Sequence, residues 1–141
     1  MKSKKSVASV LVVLSIFILA ACGGKYADAI EMSEKQLDAM ETYADRLEKA
    51  DSKETIIAAM NDFGAKMEKI SVKAKGLRQK YPELYQPDAR LPDEFAEVQK
   101  KSEAVVARMS AASMKTMQYM MDHEVQKAMM RMNAAMTNSG S

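Results

Sequence analysis

The stretch MSAASMKTMQYMMDHEVQKAMMRMNAAM, residues 109–136, decides how this chain folds. It holds neither glycine nor proline, and its Ala, Met, Lys, Glu and Gln are good helix formers. It extends an equally unbroken run that begins at Pro92, a residue suited to the first turn of a helix. Phe95, Val98, Ser102, Val105, Met109 and Ala112 step by three and four, which is a heptad. The apolar line then slips onto Met117, Met121, Val125, Ala128, Met132 and Ala135, a stutter that locally unwinds a supercoil. At 1.5 Å per residue, one helix over 92–136 approaches about 70 Å. The segments before it allow only about 40 Å each. Either the last helix overhangs its neighbours, or it bends back near Met121–His123 and makes a fourth helix. The uninterrupted pattern favours the overhang.

The upstream pattern is a helical hairpin. Helix one is expected over 26–50, with the stripe Tyr26, Ile30, Ser33, Leu37, Met40, Ala44 and Leu47. One position on, Glu31, Glu34, Asp38, Glu41, Asp45 and Glu48 make an acidic ridge. Helix two is expected over 52–81, with Ile56, Met60, Phe63, Met67, Ile70, Ala74, Leu77 and Tyr81 inward. Asp51 and Glu54 fit a variant of the capping box at its start. Pro82 stops it, because proline disfavours the α conformation in the residue before it. The short join makes the two helices antiparallel. Pro82, Pro87 and Pro92 punctuate the long connection that follows. The fold class is therefore all-α: an antiparallel hairpin plus a long C-terminal helix, as a three-helix or a four-helix bundle.

The first residues belong to something else. Lys2, Lys4 and Lys5 precede a run from Val7 to Leu19 interrupted only by Ser9 and Ser15. This is the layout of an export signal, and it is shorter than the roughly 20 apolar residues of a spanning helix. Leu19-Ala20-Ala21-Cys22 closes it. That tetrapeptide resembles the lipobox of bacterial lipoprotein signal peptides. The resemblance covers residues 1–22 only. It implies that residues 1–21 are removed and that Cys22, the single cysteine, becomes the lipidated first residue. Residues 22–25 are then a short tether, 26–137 the bundle and 138–141 a disordered tail. It also implies a place in the cell envelope. Gly23 stands where an Asp would retain an enterobacterial lipoprotein in the inner membrane, so the outer membrane is expected in a Gram-negative host. Lipidation would withdraw the thiol from nucleophilic, redox or metal chemistry.

The charge balance shifts with processing. The chain has 21 Lys plus Arg against 19 Asp plus Glu. Losing three lysines leaves 18 against 19, a net of −1, which does not suit a nucleic-acid partner. Catalysis finds no constellation either: the single histidine, His123, sits among methionines rather than beside a nucleophile and an acid. The sequence points away from an enzyme.

Methionine is the outlier. Nine of the 14 fall at or after residue 109. Met114, Met129, Met130 and Met136 lie off the apolar line, and methionine suits adaptable protein-binding surfaces. The first functional expectation is an interaction or scaffold module, with itself or another envelope protein as partner, and no cofactor. The alternative is a Cu(I) site at Met117, Met120, Met121 and His123, because thioethers suit soft ions. On an ideal helix Met117 and His123 diverge, so Met40 or Met60 of a neighbouring helix would complete it. Leu47-Glu48-Lys49-Ala50-Asp51 is similar to the first helix junction of periplasmic b-type cytochromes. Those proteins carry a ligand histidine near the end of the last helix, and none follows His123. The charged flanks of helices one and two would not meet in a simple antiparallel pair, leaving solvated edges, a contribution from helix three or a charged partner.

Replacing Cys22 with alanine is expected to abolish incorporation of an alkyne-tagged fatty acid and to release the protein from the membrane fraction. Equal labelling of both forms would contradict the lipid anchor.

Overall fold

A computed structural model describes residues 24–137. The expected signal peptide, Cys22 and the tail 138–141 lie outside the described residues. Four α-helices form an all-α bundle: α1 Ala27–Lys49, α2 Lys53–Lys80, α3 Ala96–Met117 and α4 His123–Thr137. Short 3₁₀ turns at Pro82–Tyr85 and Asp93–Phe95 punctuate the long connection.

The expected helix over 92–136 is therefore two helices, and the fold-back near His123 is the path taken. Length is the reason. Once α3 has run beside α1, a straight continuation would leave Val125 and Ala128 in water. Turning back buries both, at 0% and 1% exposure. The main packing joins α1 to α2, α1 to α3, and α2 to α4. Lys101 of α3 meets Asp38 and Arg108 meets Asp45, so α1 and α3 run parallel. Asp122 meets Lys53 and Arg131 meets Asn61, so α4 runs parallel to α2. The two short joins, 50–52 and 118–122, lie at one end. The chain enters α1 at the other, beside the long connection.

The main core gathers Tyr43, Ala44 and Leu47 of α1, Ile56, Met60, Phe63 and Met67 of α2, Ala112 of α3, and Val125 and Ala128 of α4. Tyr43 stacks on Phe63 with ring centroids 4.7 Å apart, and burial pushes its hydroxyl up to about 12. A second cluster seals the entry end: Ala29, Leu77, Tyr81 and Phe95, with Tyr26, Ile30, Met32 and Leu84 against them. The Tyr81 hydroxyl lies 2.8 Å from the Lys25 carbonyl and 2.7 Å from Asp28 Oδ1. Lys25 and the Tyr26 hydroxyl both reach Glu83, at 2.8 and 3.1 Å. The start of α1 is thereby fastened to the end of α2.

Two local expectations shift. The cap of α2 is Ser52, not Asp51: its Oγ accepts from Thr55 N–H, and Thr55 Oγ1 accepts from Ser52 N–H. A serine and a threonine three apart perform the reciprocal exchange expected of Asp51 and Glu54. The stutter also disappears. Thr116 and Tyr119 continue the three–four stepping past Ala112. Thr116 is 6% exposed and donates to the Ser113 carbonyl at 2.6 Å, which removes the cost of burying its hydroxyl. Met117 and Met121, placed on the inner line by apolarity, are instead 62% and 92% exposed.

Leu47→Ala should lower unfolding free energy by about 2–5 kcal/mol, because Leu47 is fully buried and its loss leaves a cavity. Met121→Ala should stay within about 0.5 kcal/mol. Urea denaturation of the two variants checks the difference; equal losses would contradict this core.

Candidate functional site

The joint between α3 and α4 concentrates the unusual side chains. It is wound tightly: Tyr119 N–H bonds Thr116 O at 3.0 Å, Met120 N–H bonds Met117 O at 3.2 Å, and Asp122 N–H bonds Tyr119 O at 2.9 Å. Asp122 then starts α4. Its Oδ1 accepts from the N–H groups of Glu124 and Val125, at 2.9 and 3.3 Å, which satisfies two donors a helix start leaves open. Its Oδ2 takes Lys53 Nζ at 2.9 Å. Gln126 Nε2 reaches back to the Met120 carbonyl at 2.9 Å. One carboxylate thus caps one helix and ties it to the first turn of another.

This joint presents Met117, Met120, Met121 and His123 to solvent. All four candidate metal-binding residues share it. Met40 and Met60 do not complete it. Met60 is 1% exposed inside the main core and Met40 packs against that core. The candidate interaction residues divide. Met114 and Met130 are 69% and 71% exposed, whereas Met129 and Met136 pack against the core. Their partners across the bundle exist only because α4 folds back. Met114 and Met117 share the outward flank of α3 with Val106, which is 51% exposed. Ser110 and Ser113 lie between them, so no charge interrupts that flank from Val106 to Met117.

The opposite flank of α3 carries the electrostatics. Arg108 pairs with Asp45, with Glu48 at 2.6 Å and with Glu41 at 3.8 Å. Lys101 meets Asp38 at 2.6 Å, and Lys115 caps the end of α1 at the Glu48 carbonyl. The acidic ridge of α1 is therefore answered by α3 from Asp38 to Glu48, while Glu31 pairs with Lys35 of its own helix. Glu48 and Asp45 hold the Arg108 guanidinium more firmly protonated than usual. Arg108 in turn keeps Glu48 below the ordinary carboxylate range. These pairs are exposed, so they set helix pairing more than stability.

Elsewhere, a groove of about 320 Å³ lies between α1 and α2, lined by Lys35, Asp38, Ala39, Thr42, Lys66, Lys69 and Ile70. Among the described residues, no three His, Cys, Asp or Glu side chains converge on a possible metal position. No helix among them is long and apolar enough to cross a membrane. No family model, curated protein or solved structure matches the chain.

Sequence reasoning missed Asp122, Lys53 and Gln126. One signal was present: Asp122 is the first acidic residue after Glu103, and aspartate is a favoured N-cap. The Lys53 hydrogen bond holds Asp122 below the usual carboxylate range, helped by the two backbone donors. A depressed folded pKa contributes stability above the unfolded value, and that contribution is lost as pH falls through the folded value. Asp122→Ala should therefore lower Tm at neutral pH, and the gap to the wild type should close as pH drops below about 3.8, the unperturbed value. A gap unchanged down to acid would contradict the capping role.

Proposed function

We propose that the protein is a lipid-anchored interaction module of the bacterial cell envelope, receiving a protein partner on the methionine surface around the α3–α4 joint. The observation that carries this reading is that five of the nine exposed large apolar residues among the described ones are methionines, Met114, Met117, Met120, Met121 and Met130, all in the C-terminal third of the chain. Fully burying a methionine is worth about 1.5–3 kcal/mol. Five left in water, on α3, on the joint and on α4, make an adaptable surface of the sort that marks interaction sites.

The anchor supplies the geometry. Two residues separate Cys22 from Lys25, where the bundle is already fastened to Glu83. The α3–α4 joint lies at the far end of α1, about 35 Å away for 23 residues at 1.5 Å each. The lipidated end would sit at the membrane and the methionine surface would face the periplasm. That surface, not a catalytic cleft, is the part of the molecule available to a partner.

Removing α4 would be a poor test, because Val125 and Ala128 belong to the core. A photo-crosslinking residue at position 117 is a cleaner one. In cells it should yield a discrete adduct, either at twice the chain mass or at the mass of one other envelope protein. The same probe at Val72, likewise exposed but on α2, should yield none. Equal adducts from both positions, or none from either, would contradict the reading.

A further inference from the structure

We propose that the α3–α4 joint is a Cu(I) site in which Met117 and Met120 supply the primary thioether donors and His123 or Met121 a third ligand. On an ideal α-helix Met117 and His123 diverge. The joint is not one. Its successive bonds, Tyr119 to Thr116, Met120 to Met117 and Asp122 to Tyr119, each span three residues. In such winding, side chains three apart eclipse, so Met117 and Met120 issue from the same side. Met121 follows at once, and His123 opens α4 immediately beyond.

None of the four is engaged elsewhere. Met117, Met120 and Met121 are 62%, 46% and 92% exposed. His123 is exposed and makes no hydrogen bond or ion pair among the described residues. The donor set selects the ion. Thioethers are neutral, soft ligands that favour Cu(I) over hard divalent ions. Zn²⁺ and Ca²⁺ would want carboxylate, imidazole or thiolate clusters, and no such group of three lies among the described residues. Of the two carboxylates that flank His123 in the chain, Asp122 is occupied by Lys53 and two backbone donors, and a single remaining hard donor, Glu124, does not make a site for those ions. The joint is also held from outside, by that ion pair and by Gln126 on the Met120 carbonyl. The donors are thus presented on a fixed turn rather than a free tail. This inference needs neither the anchor nor a protein partner, and its test is separate from the crosslinking.

The test is competition for Cu(I) between the purified full chain and a chromophoric Cu(I) chelator, under anaerobic, reducing conditions. The wild type should withdraw one equivalent. Met117→Leu with Met120→Leu should weaken binding at least tenfold. Met114→Leu with Met130→Leu, removing two exposed thioethers that lie outside the 117–123 turn, should leave Cu(I) binding unchanged. Circular dichroism of the leucine variants checks that all remain folded. X-ray absorption of the loaded wild type should show sulfur in the first coordination shell. A wild type that fails to compete, a 117/120 variant that binds as the wild type does, a 114/130 variant equally weakened, or a copper shell free of sulfur would each overturn the proposal.

Discussion

The Asp122 carboxylate governs the reversal that closes this bundle. One oxygen accepts two N–H groups at the start of α4, and the other takes the Lys53 ammonium at the start of α2. A helix start carries partial positive charge that favours an anion there. The same carboxylate thus ends the run of good helix formers and decides which neighbour α4 joins. The reversal puts Val125 and Ala128 against Leu47, Ile56, Met60 and Phe63. Without it, α1 and α2 would lack a fourth wall and α4 would expose its apolar side. The exchange of an uninterrupted helix for a five-residue turn is favoured because burial outweighs the few backbone bonds lost.

That reversal was the least legible feature of the sequence. The hairpin was plain, because Leu47, Ile56, Phe63 and Leu77 recur at heptad spacing and Pro82 marks an end that propensity alone would leave vague. The joint had no glycine or proline. Its only local mark was one aspartate, whose meaning depended on Lys53, 69 residues earlier. Apolarity also misdirected the assignment of α3. Met117 attracted the inner line because it is apolar, yet Thr116 takes the buried place once its hydroxyl finds the Ser113 carbonyl. A buried polar residue satisfied within its own helix is invisible to hydrophobic periodicity. The pairing of the acidic α1 ridge with Arg108 was likewise open, since register between α1 and α3 depends on the long connection through the prolines.

The candidate site was legible in identity and not in arrangement. Met117, Met120, Met121 and His123 stood out by composition. Whether they faced a core, a partner helix or water depended on where the chain turned. The turn exposes them together and removes Met40 and Met60 from consideration. It also divides the remaining methionines, since Met129 and Met136 pack while Met114 and Met130 remain outside. Placing the thioethers at one end and the chain entry at the other gives the proposed anchor its consequence, because a bundle anchored just before Lys25 would have a membrane side and a distal side.

The proposed role depends most on that polarity. Energy transfer measures it directly, from a donor at position 121 of the lipidated protein to acceptors on the headgroups of vesicles carrying it. A donor at position 83 serves as the near reference. Strong transfer is expected from 83, and a separation of about 35 Å for 121, the rise of α1. Equal transfer from both positions, or a donor at 121 in contact with the bilayer, would contradict the polarity.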